Sequence, residues 1–309
     1  MRMLVTGGAG FIGSNLTDVL VAAGHEVAVA DNLSRGSRGQ VNAGAAWHEV
    51  DVTTAAFRDV LLGFQPEIVF HHAAQIDVRR SIAEPLFDTQ SNVVGTVNVL
   101  QACVDAGVRR VVFASSGGTV YGDTDVVPTP EGHPLRPASV YGAAKVCGEI
   151  YGDVFGGLNG LEFVSLRYGN VYGPRQDPHG EAGVIAIFIK RLLSGEPAVI
   201  NGDGSIIRDY VHVDDVVAAN LAAAETRALG SYNVATGRGV SVTEIFTRVA
   251  AAVGSGLQAQ HGPAKPGEQR LSVLDIGKAA EKLDWAPQVR LEDGMRRTVE
   301  WFRGNPVCR

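Results

Sequence analysis

The feature that most constrains the fold is a turn near the amino terminus with glycines spaced three apart. The apolar run Met3–Thr6 leads into Gly7, Gly10 and Gly13, and an apolar-periodic stretch covers Phe11–Ala23. Such glycines let the backbone turn tightly, approach a pyrophosphate and pack a helix closely on a strand. The helix N-terminus offers unpaired N–H groups and a positive dipole end. The pattern therefore predicts a strand–turn–helix unit that binds a dinucleotide.

An acid at a suitable distance supports this prediction. Asp31 ends the next apolar run, 18 residues after Gly13. A carboxylate there accepts hydrogen bonds from both ribose hydroxyls and repels a 2′-phosphate, which favours NAD over NADP. Arg35 and Arg38 follow, and we interpret them as solvated loop charges.

The first half of the chain alternates short apolar runs with helical patterns. Continuous apolar runs are typical of parallel strands buried on both faces, and the alternation predicts an α/β fold with a doubly wound parallel sheet, the Rossmann arrangement. The predicted strands are Met3–Thr6, Val27–Asp31, Ala46–Asp51, Ile68–His72, Arg110–Ser115 and Leu161–Arg167. The predicted helices are Phe11–Ala23, Thr54–Leu62, Phe87–Ala106 and Ser139–Phe155.

The second half lacks this rhythm, because stretches containing Gly and Pro separate its helical patterns. These patterns cover Val184–Leu193, Val213–Ala224, Val242–Val253 and Leu291–Arg303. We predict a dinucleotide-binding domain over 1–167 and a smaller α+β domain over 168–309 that covers the carboxyl end of the sheet. Segments around 205–215 and 229–240 are expected to return to the first domain.

Composition excludes several classes of protein. Lys and Arg number 27 against 33 Asp and Glu, a formal net charge of −6, which argues against electrostatic wrapping of nucleic acid. No apolar run of about 20 residues is present to span a membrane, and no basic start with an apolar stretch precedes the first strand. The three cysteines have no paired spacing. We expect a cytoplasmic protein without a metal site.

Two further predicted strands end at the edge of the sheet where the cofactor is expected to bind. Asp51 could reach an adenine amine, or it could be a solvated strand-end acid. Ala73 and Ala74 leave room for the cofactor. The adjacent His71 and His72 point to opposite faces of a strand, so we interpret them as structural rather than metal-binding.

Tyr141 and Lys145 are the candidate catalytic pair. Residues four apart share one face of a helix, and an ammonium near a phenol stabilises the phenolate and lowers the phenol pKa. A Tyr-x-x-x-Lys pair is a surface feature in many helices, but here it follows a dinucleotide motif. It therefore predicts a base that takes a proton from a carbinol.

Together these motifs resemble the extended short-chain dehydrogenases/reductases, and within them the bacterial UDP-glucose 4-epimerases, over essentially the whole chain. The resemblance rests on Gly7–Gly13, Asp31–Leu33, Ser115–Gly122, Tyr141–Lys145, Leu166–Arg175 and Arg208–Asp215. The last two segments are typical of the nucleotide-sugar branch of the family.

The resemblance implies a 4-epimerase that acts by transient oxidation to a 4-keto sugar with tightly held NAD. Tyr141 would take the proton from the 4-hydroxyl, and Lys145 would tune Tyr141 and hold the nicotinamide ribose. The implied cofactor residues are Gly7, Gly10, Phe11, Ile12, Gly13, Asp31, Asn32, Ser34, Gly36, Asp51, Val52, Ala73, Ala74, Gln75, Asn92, Ser115, Tyr141, Lys145 and Tyr168. The implied substrate residues are Ser116, Thr119, Tyr141, Asn170, Val184, Arg208, Lys265, Glu268 and Ser272.

Arg208 has a physical argument of its own, because a planar guanidinium suits a diphosphate. A salt bridge to Asp209 or Asp214 is the alternative.

The chain departs from the family at one catalytic position. The family places a Ser or Thr four residues before the Tyr of its Val-Tyr-Gly motif, and here that position is Gly117. Ser116 or Thr119 could supply the hydroxyl instead, and we favour Ser116.

The same segment bears on the reaction. Dehydratases and decarboxylases of this family carry an acid just before Val-Tyr-Gly, where this chain has Gly118 and Thr119. Elimination needs a general acid, so epimerisation is favoured. Another NAD-dependent nucleotide-sugar oxidoreductase (a ketoreductase or a dehydratase) and a non-catalytic NAD-sensing module remain alternatives.

Two finer expectations concern the substrate and the assembly. Ser272 stands seven positions after Lys265, where a bulky Tyr in related epimerases excludes N-acetyl groups. A small Ser predicts that UDP-N-acetylglucosamine is also accepted. The helical patterns Phe87–Ala106 and Ser139–Phe155 are apolar on more than one face, which predicts either a homodimer or burial under the second domain.

Overall fold

The structure is a computed structural model that describes residues 1–179, 183–264 and 269–305. Its strands are β1 (Arg2–Thr6), β2 (Glu26–Asp31), β3 (Ala46–Glu49), β4 (Ile68–His71), β5 (Arg110–Ser116), β6 (Glu162–Tyr168), β7 (Asn170–Tyr172), β8 (Val199–Asn201), β9 (Ile207–His212), β10 (Gly230–Val234), β11 (Gly239–Ser241), β12 (Gln260–Gly262) and β13 (Leu271–Ser272). Its α-helices are α1 (Phe11–Ala22), α2 (Ala55–Phe64), α3 (Val78–Ala83), α4 (Pro85–Asp88), α5 (Gly95–Asp105), α6 (Gly117–Val120), α7 (Val140–Asn159), α8 (Val184–Leu193), α9 (Val213–Glu225), α10 (Val242–Val253), α11 (Gly277–Leu283) and α12 (Leu291–Gly304).

A seven-stranded parallel sheet forms the centre of the molecule, in the order β10-β6-β5-β4-β1-β2-β3. The predicted doubly wound α/β fold is confirmed. Strand order reverses between β1 and β4, and the crevice at such a reversal is where ligands bind in open parallel sheets.

Both faces of this sheet are covered, which explains the continuous apolar runs. Along β1, Val5 packs in the core beneath α1 and α9, while Leu4 packs in the core beneath α2 and α5. Both side chains are fully buried. Successive side chains of a strand point to opposite faces, so each needs an apolar partner.

A smaller unit is built around a second sheet of β11, β9, β13 and β7, the last of which pairs with β9. Helices α8, α10 and α12 pack together beside it around a separate apolar core. Strands β8 and β12 form a short parallel pair.

The two segments expected to return to the first domain behave differently. Strand β10 pairs with β6 and extends the large sheet. Strand β9 pairs with β7, β11 and β13 in the small sheet, because β6 already has β5 on one side and β10 on the other. The helix after it, α9, packs on α1. A division of the chain near residue 167 remains a proposal.

The helix predicted over Phe87–Ala106 begins earlier and is interrupted. Pro85 begins it, and Thr89–Val94 form a π-helical turn between α4 and α5. Such turns are frequent at functional sites. None of the helices in the described ranges combines the length and apolar character needed to cross a bilayer.

Candidate active site

The glycine turn closes against the end of β4, at the point where the sheet reverses. Gly7 has φ of +68°, and an added Cβ would lie 2.7 Å from the backbone nitrogen of Ala73. An added Cβ at Gly13 would collide with the carbonyl oxygen of Gly7. Gly10 precedes α1 without a side-chain cap, so the helix N-terminus is left open for phosphate.

Asp31 lies beside this turn at the end of β2. Its buried carboxylate accepts hydrogen bonds from the backbone N–H groups of Ala9, at 3.0 Å, and Leu33, at 2.8 Å. A carboxylate has about four lone-pair positions, so two remain for ribose hydroxyls. The guanidinium of Arg38 stacks on Trp47, 4.8 Å from the ring centre. This contact occupies one of the two cations that could attract a 2′-phosphate.

The loop after β2 folds back over the glycine turn. An added Cβ at Gly36 would lie 2.5 Å from the carbonyl oxygen of Ala9, and the N–H of Ser34 donates to the side chain of Asn32. Asn32 in turn donates to Asp51 at 2.8 Å.

Asp51 is tied to its own loop. Although partial burial opposes ionisation, hydrogen bonds from Thr53 and Asn32 hold the pKa of Asp51 below its ordinary value. The next residue, Val52, is buried. The side chain of Asp51 is therefore a charged hydrogen-bond acceptor at the cofactor edge of the sheet. An adenine amine bound at this edge would need such an acceptor.

Gln75 and Asn92 are joined across the π-helical turn. The N–H of Gln75 donates to the amide oxygen of Asn92, and the amide nitrogen of Asn92 donates to the carbonyl oxygen of Gln75, both at 2.8 Å. Both side-chain amides also donate to Oδ1 of Asp88, at 2.9 Å and 3.0 Å. Asp88 is not among the predicted site residues, and its only sequence signal is an acid within an apolar helical pattern.

Helix α7 carries Tyr141 and Lys145 and is fixed at its start. Ser139 caps it by accepting from the N–H of Gly142, and Ser81 accepts from the N–H of Tyr141. Nζ of Lys145 donates to the carbonyl oxygen of Ala114 at 2.7 Å and lies 5.7 Å from the centre of the Tyr141 ring.

Burial shapes the proton chemistry of this pair. It lowers the pKa of Lys145 to about 8, against the opposing charges of Asp88 and Glu149. It raises the pKa of Tyr141 above the ordinary value, although a hydrogen bond with Ser116 lowers it in part. The sequence predicts a lowered pKa for Tyr141, whereas the structure raises it. The pKa is raised because a buried phenolate loses its hydration.

Ser116 ends β5 and hydrogen-bonds with the Tyr141 hydroxyl. The Thr119 hydroxyl instead points to the carbonyl oxygen of Ser116, at 3.4 Å. An added Cβ at Gly117 would collide with a terminal methyl group of Leu274 and lie 3.1 Å from the carbonyl oxygen of Arg167, so a side chain there requires Leu274 to shift.

A buried ion pair lies behind the catalytic helix. Glu149 of α7 and Arg167 of β6 are 2.6 Å apart, with both side chains almost completely buried. Ser115 and Ser165 donate to the same carboxylate at 2.6 Å and 3.0 Å. The pair therefore anchors α7 to two strands of the large sheet.

The hydroxyl of Tyr168 lies at the end of β6, 3.2 Å from Nε2 of His72, and accepts from Asn220 at 2.8 Å. His71 is hydrogen-bonded through both ring nitrogens, to Thr6 and Thr96, whereas Nδ1 of His72 is buried without a hydrogen-bond partner among the described residues. His72 is stacked on Tyr168.

The predicted substrate residues lie on the smaller sheet and its edges. Asn170 begins β7, with its amide oxygen 3.8 Å from where a Cβ on Gly118 would stand. Ser272 of β13 is buried and in register with Arg208 of β9. Val184 begins α8. Lys265 and Glu268 lie outside the described residues.

Arg208 donates to the carbonyl oxygens of Ile207 and Gln269, at 2.9 Å and 2.6 Å. The acids considered as alternative partners are engaged elsewhere. Asp214 pairs with Arg297 at 3.1 Å, and Asp209 accepts from the backbone N–H groups of Thr236 and Gly237. The described ranges contain no group of three or more His, Cys, Asp or Glu arranged to hold a metal ion.

Comparison with known proteins shows which family shares this sequence and fold. The UDP-glucose 4-epimerase of Mycolicibacterium smegmatis is 47% identical over 309 residues, which cover 98% of this chain and 99% of that protein. The structure of UDP-glucose 4-epimerase with UDP-glucose from Thermotoga maritima is 44% identical, with a TM-score of 0.97 over 99% of this chain and 100% of that chain. The Thermus thermophilus UDP-glucose 4-epimerase complex with NAD is also 44% identical, with a TM-score of 0.95 over the same shares of the two chains. The model of the NAD dependent epimerase/dehydratase family matches residues 3–235, and the chain therefore belongs to that family.

Proposed function

We propose that the protein is an NAD-dependent UDP-hexose 4-epimerase that interconverts UDP-glucose and UDP-galactose. The observation that carries the proposal is the placement of Tyr141, Lys145 and Ser116 at the carboxyl edge of the sheet that also bears the glycine turn. Proteins named UDP-glucose 4-epimerase align with almost the whole chain.

Bound NAD would supply the redox chemistry of hydride removal and return. Asp31 and the open N-terminus of α1 would hold its ribose and pyrophosphate. Tyr141 takes the proton of the 4-hydroxyl. It returns this proton to the 4-keto sugar after the sugar has rotated within the site and presents its opposite face. Ser116 orients the Tyr141 hydroxyl, and the ammonium of Lys145, which lies near the Tyr141 ring, stabilises the phenolate.

Other reactions of the family need a group that this site lacks. Elimination of water requires a general acid, and the two residues before Val120-Tyr121 are Gly118 and Thr119. Epimerisation returns the same proton and hydride that it removes, so Tyr141 is sufficient as acid and base.

The test is product analysis after incubation of the purified protein with UDP-galactose and no added cofactor. We expect UDP-glucose to form over many turnovers, without lasting growth of the NADH absorbance band. A ketoreductase would instead consume cofactor with each turnover. An NAD-sensing module would bind NAD and leave the sugar unchanged.

A second substrate class is favoured by Ser272. This small side chain is buried beside Arg208, which we propose holds the diphosphate. Where related epimerases carry a bulky Tyr, a Ser leaves space that the 2-N-acetyl group of UDP-N-acetylglucosamine can occupy. We propose that the protein epimerises both UDP-hexoses and UDP-N-acetylhexosamines.

The active form that we propose is a homodimer paired through α7. Ile150, Val154 and Leu158 lie four residues apart on this helix and are about half exposed or more, and Leu86 of α4 is 85% exposed. A contiguous apolar helix face favours a second partner. Sedimentation equilibrium should show a dimer that Ile150→Glu converts to a monomer, whereas Glu300→Gln on α12 leaves the dimer intact.

A further inference from the structure

Gln269 joins two parts of the site that are far apart in the sequence. Its side-chain amide nitrogen donates to the backbone carbonyl oxygen of Gly122 at 2.8 Å. Its own backbone carbonyl oxygen accepts from Nη2 of Arg208 at 2.6 Å. One residue therefore contacts both the segment that follows Ser116 and the arginine that we propose holds the diphosphate.

Gly122 is a fixed point on the catalytic side of this connection. It is buried with φ of +67°, and an added Cβ would collide with the carbonyl oxygen of Arg136. The residue before it, Tyr121, is buried, and its hydroxyl donates to Asn233 at 2.7 Å and accepts from Arg167 at 2.9 Å. Because this backbone is held on several sides, the bond to Gly122 restrains Gln269.

Arg208 is held at two points on the other side of the connection. Its strand, β9, has β11 on one side and β13 on the other, so the backbone is fixed. Nη1 donates to the carbonyl oxygen of Ile207 at 2.9 Å, and Nη2 donates to Gln269. A guanidinium is planar with its donors in a rigid fork, so two contacts fix its plane. Gln269 lies before the paired residues of β13, and its bond to Gly122 ties it to the first half of the chain.

We propose that Gln269 is a positioning residue that acts through Arg208 and holds its guanidinium in place for the diphosphate of the nucleotide sugar. The inference rests on the proposed function, because that function places a diphosphate at Arg208. It adds a physical connection between the diphosphate end of the site and the segment that carries Ser116.

The effect of this connection is on binding and not on the chemical step. A guanidinium that is held before the ligand arrives loses less conformational freedom when the ligand binds. The diphosphate is unchanged by epimerisation of the sugar, so its contacts are the same in the bound substrate and in the transition state. Loss of such uniform binding raises KM and leaves kcat unchanged. A residue needed only for folding has the opposite signature, because a smaller folded fraction lowers the apparent kcat and leaves KM unchanged.

Gln269→Met removes the amide donor and keeps the length of the side chain and the backbone carbonyl group. We expect the KM for UDP-galactose and the Kd for UDP to rise together by roughly 3- to 10-fold, as for the loss of one neutral hydrogen bond. The kcat should stay within about twofold of the parent. Steady-state kinetics and calorimetry with UDP measure the three quantities. Gln288→Met is the matched control, because the side chain of Gln288 also donates to a backbone carbonyl oxygen, that of Ala286, and should leave all three at the parent values.

A double-mutant cycle tests whether Gln269 acts through Arg208. Arg208→Met removes the guanidinium and should itself weaken the binding of UDP. If Gln269 acts through that group, Gln269→Met should raise the Kd for UDP in the parent and have no further effect in Arg208→Met. An equal rise in the two backgrounds would overturn the inference, since Gln269 would then act on the ligand without Arg208. An unchanged Kd in folded Gln269→Met, or a fall in kcat at constant KM, would also overturn it.

Two further outcomes separate this inference from the proposed function. The binding of UDP needs no turnover, so a protein that shows the Gln269 effect on Kd but does not epimerise UDP-galactose would refute the proposed function and leave the inference standing. A protein that epimerises UDP-galactose with equal KM in the parent and in Gln269→Met would refute the inference alone. If Gln269→Met does not fold, Gln269→Asn, whose amide is one methylene group too short for the bond to Gly122, gives the same readout.

Discussion

Nζ of Lys145 lies 5.7 Å from the centre of the Tyr141 ring and is fixed there by the carbonyl oxygen of Ala114. Neither group holds its charge easily, because burial lowers the pKa of the amine and raises that of the phenol. The Tyr141 phenolate therefore depends on the Lys145 ammonium beside it for stabilisation.

Tyr141→Phe should lower kcat by about 10²–10⁴-fold, because the proton acceptor is lost while the ring remains. The content of bound NAD should stay at the parent level, which is measured on the purified protein after denaturation. Tyr151→Phe on the exposed side of the same helix is the control and should keep full activity. Turnover of Tyr141→Phe within severalfold of the parent would reject the assignment.

Ser116→Ala should lower kcat by roughly 10- to 100-fold, because a hydrogen bond to an ionised oxygen contributes about 1.5–3 kcal/mol. Thr119→Ala should have a smaller effect, since its hydroxyl points to the backbone of residue 116. The measurement is kcat for UDP-galactose in both variants. Loss of activity in Thr119→Ala alone would transfer the role to that hydroxyl.

Lys145→Met should move the rising limb of the kcat/KM profile to higher pH. In the parent, the nearby Lys145 ammonium favours ionisation of the Tyr141 phenol. In the variant, the proton must leave a buried phenol whose pKa burial raises above its ordinary value. Lys190→Met on α8 serves as the control. A profile that superimposes on that of the parent would contradict the role of Lys145.

Glu149→Gln should lower the free energy of unfolding by about 3–5 kcal/mol, because it leaves Arg167 as an uncompensated buried charge. Glu84→Gln, which breaks an exposed pair with Arg80, should cost less than about 1 kcal/mol. Urea unfolding at neutral pH measures both. Equal small losses would mean that the buried pair does not anchor α7.

The same pair predicts an acid-side loss of stability. Although burial opposes its ionisation, Arg167 and two serine hydroxyls hold the pKa of Glu149 below the ordinary value. A lowered folded-state pKa stabilises the protein above the unfolded-state value of about 4.3 and ceases to do so as the pH falls through the folded-state value. Urea unfolding at a series of pH values should show this decline in the parent and a smaller one in Glu149→Gln.

Ser272→Tyr should abolish turnover of UDP-N-acetylglucosamine and keep turnover of UDP-galactose, because the ring fills the space beside the 2-substituent. Ser272→Ala keeps that space and should act on both substrates. Separate assays with the two sugars measure the split. Equal loss of both activities, or a parent that is inactive on the N-acetyl sugar, would contradict the role of Ser272 in admitting the N-acetyl group.

The sequence by itself determined the glycine turn, Asp31 and the Tyr141–Lys145 pair. Each depends on short-range spacing, since glycines three apart permit a turn and residues four apart share a helix face. Continuous apolar runs likewise determined the parallel sheet, because they too are patterns of neighbouring residues in the sequence. The family resemblance added the roles of these residues, which spacing does not contain.

Only the tertiary structure decided what surrounds this pair. Helices α4 and α7 pack together, and Leu274, far along the chain, packs against Gly117. The raised pKa of Tyr141 likewise comes from burial, which depends on every element around the site. Packing brings together residues that are distant in sequence, and no local periodicity encodes which of them will meet.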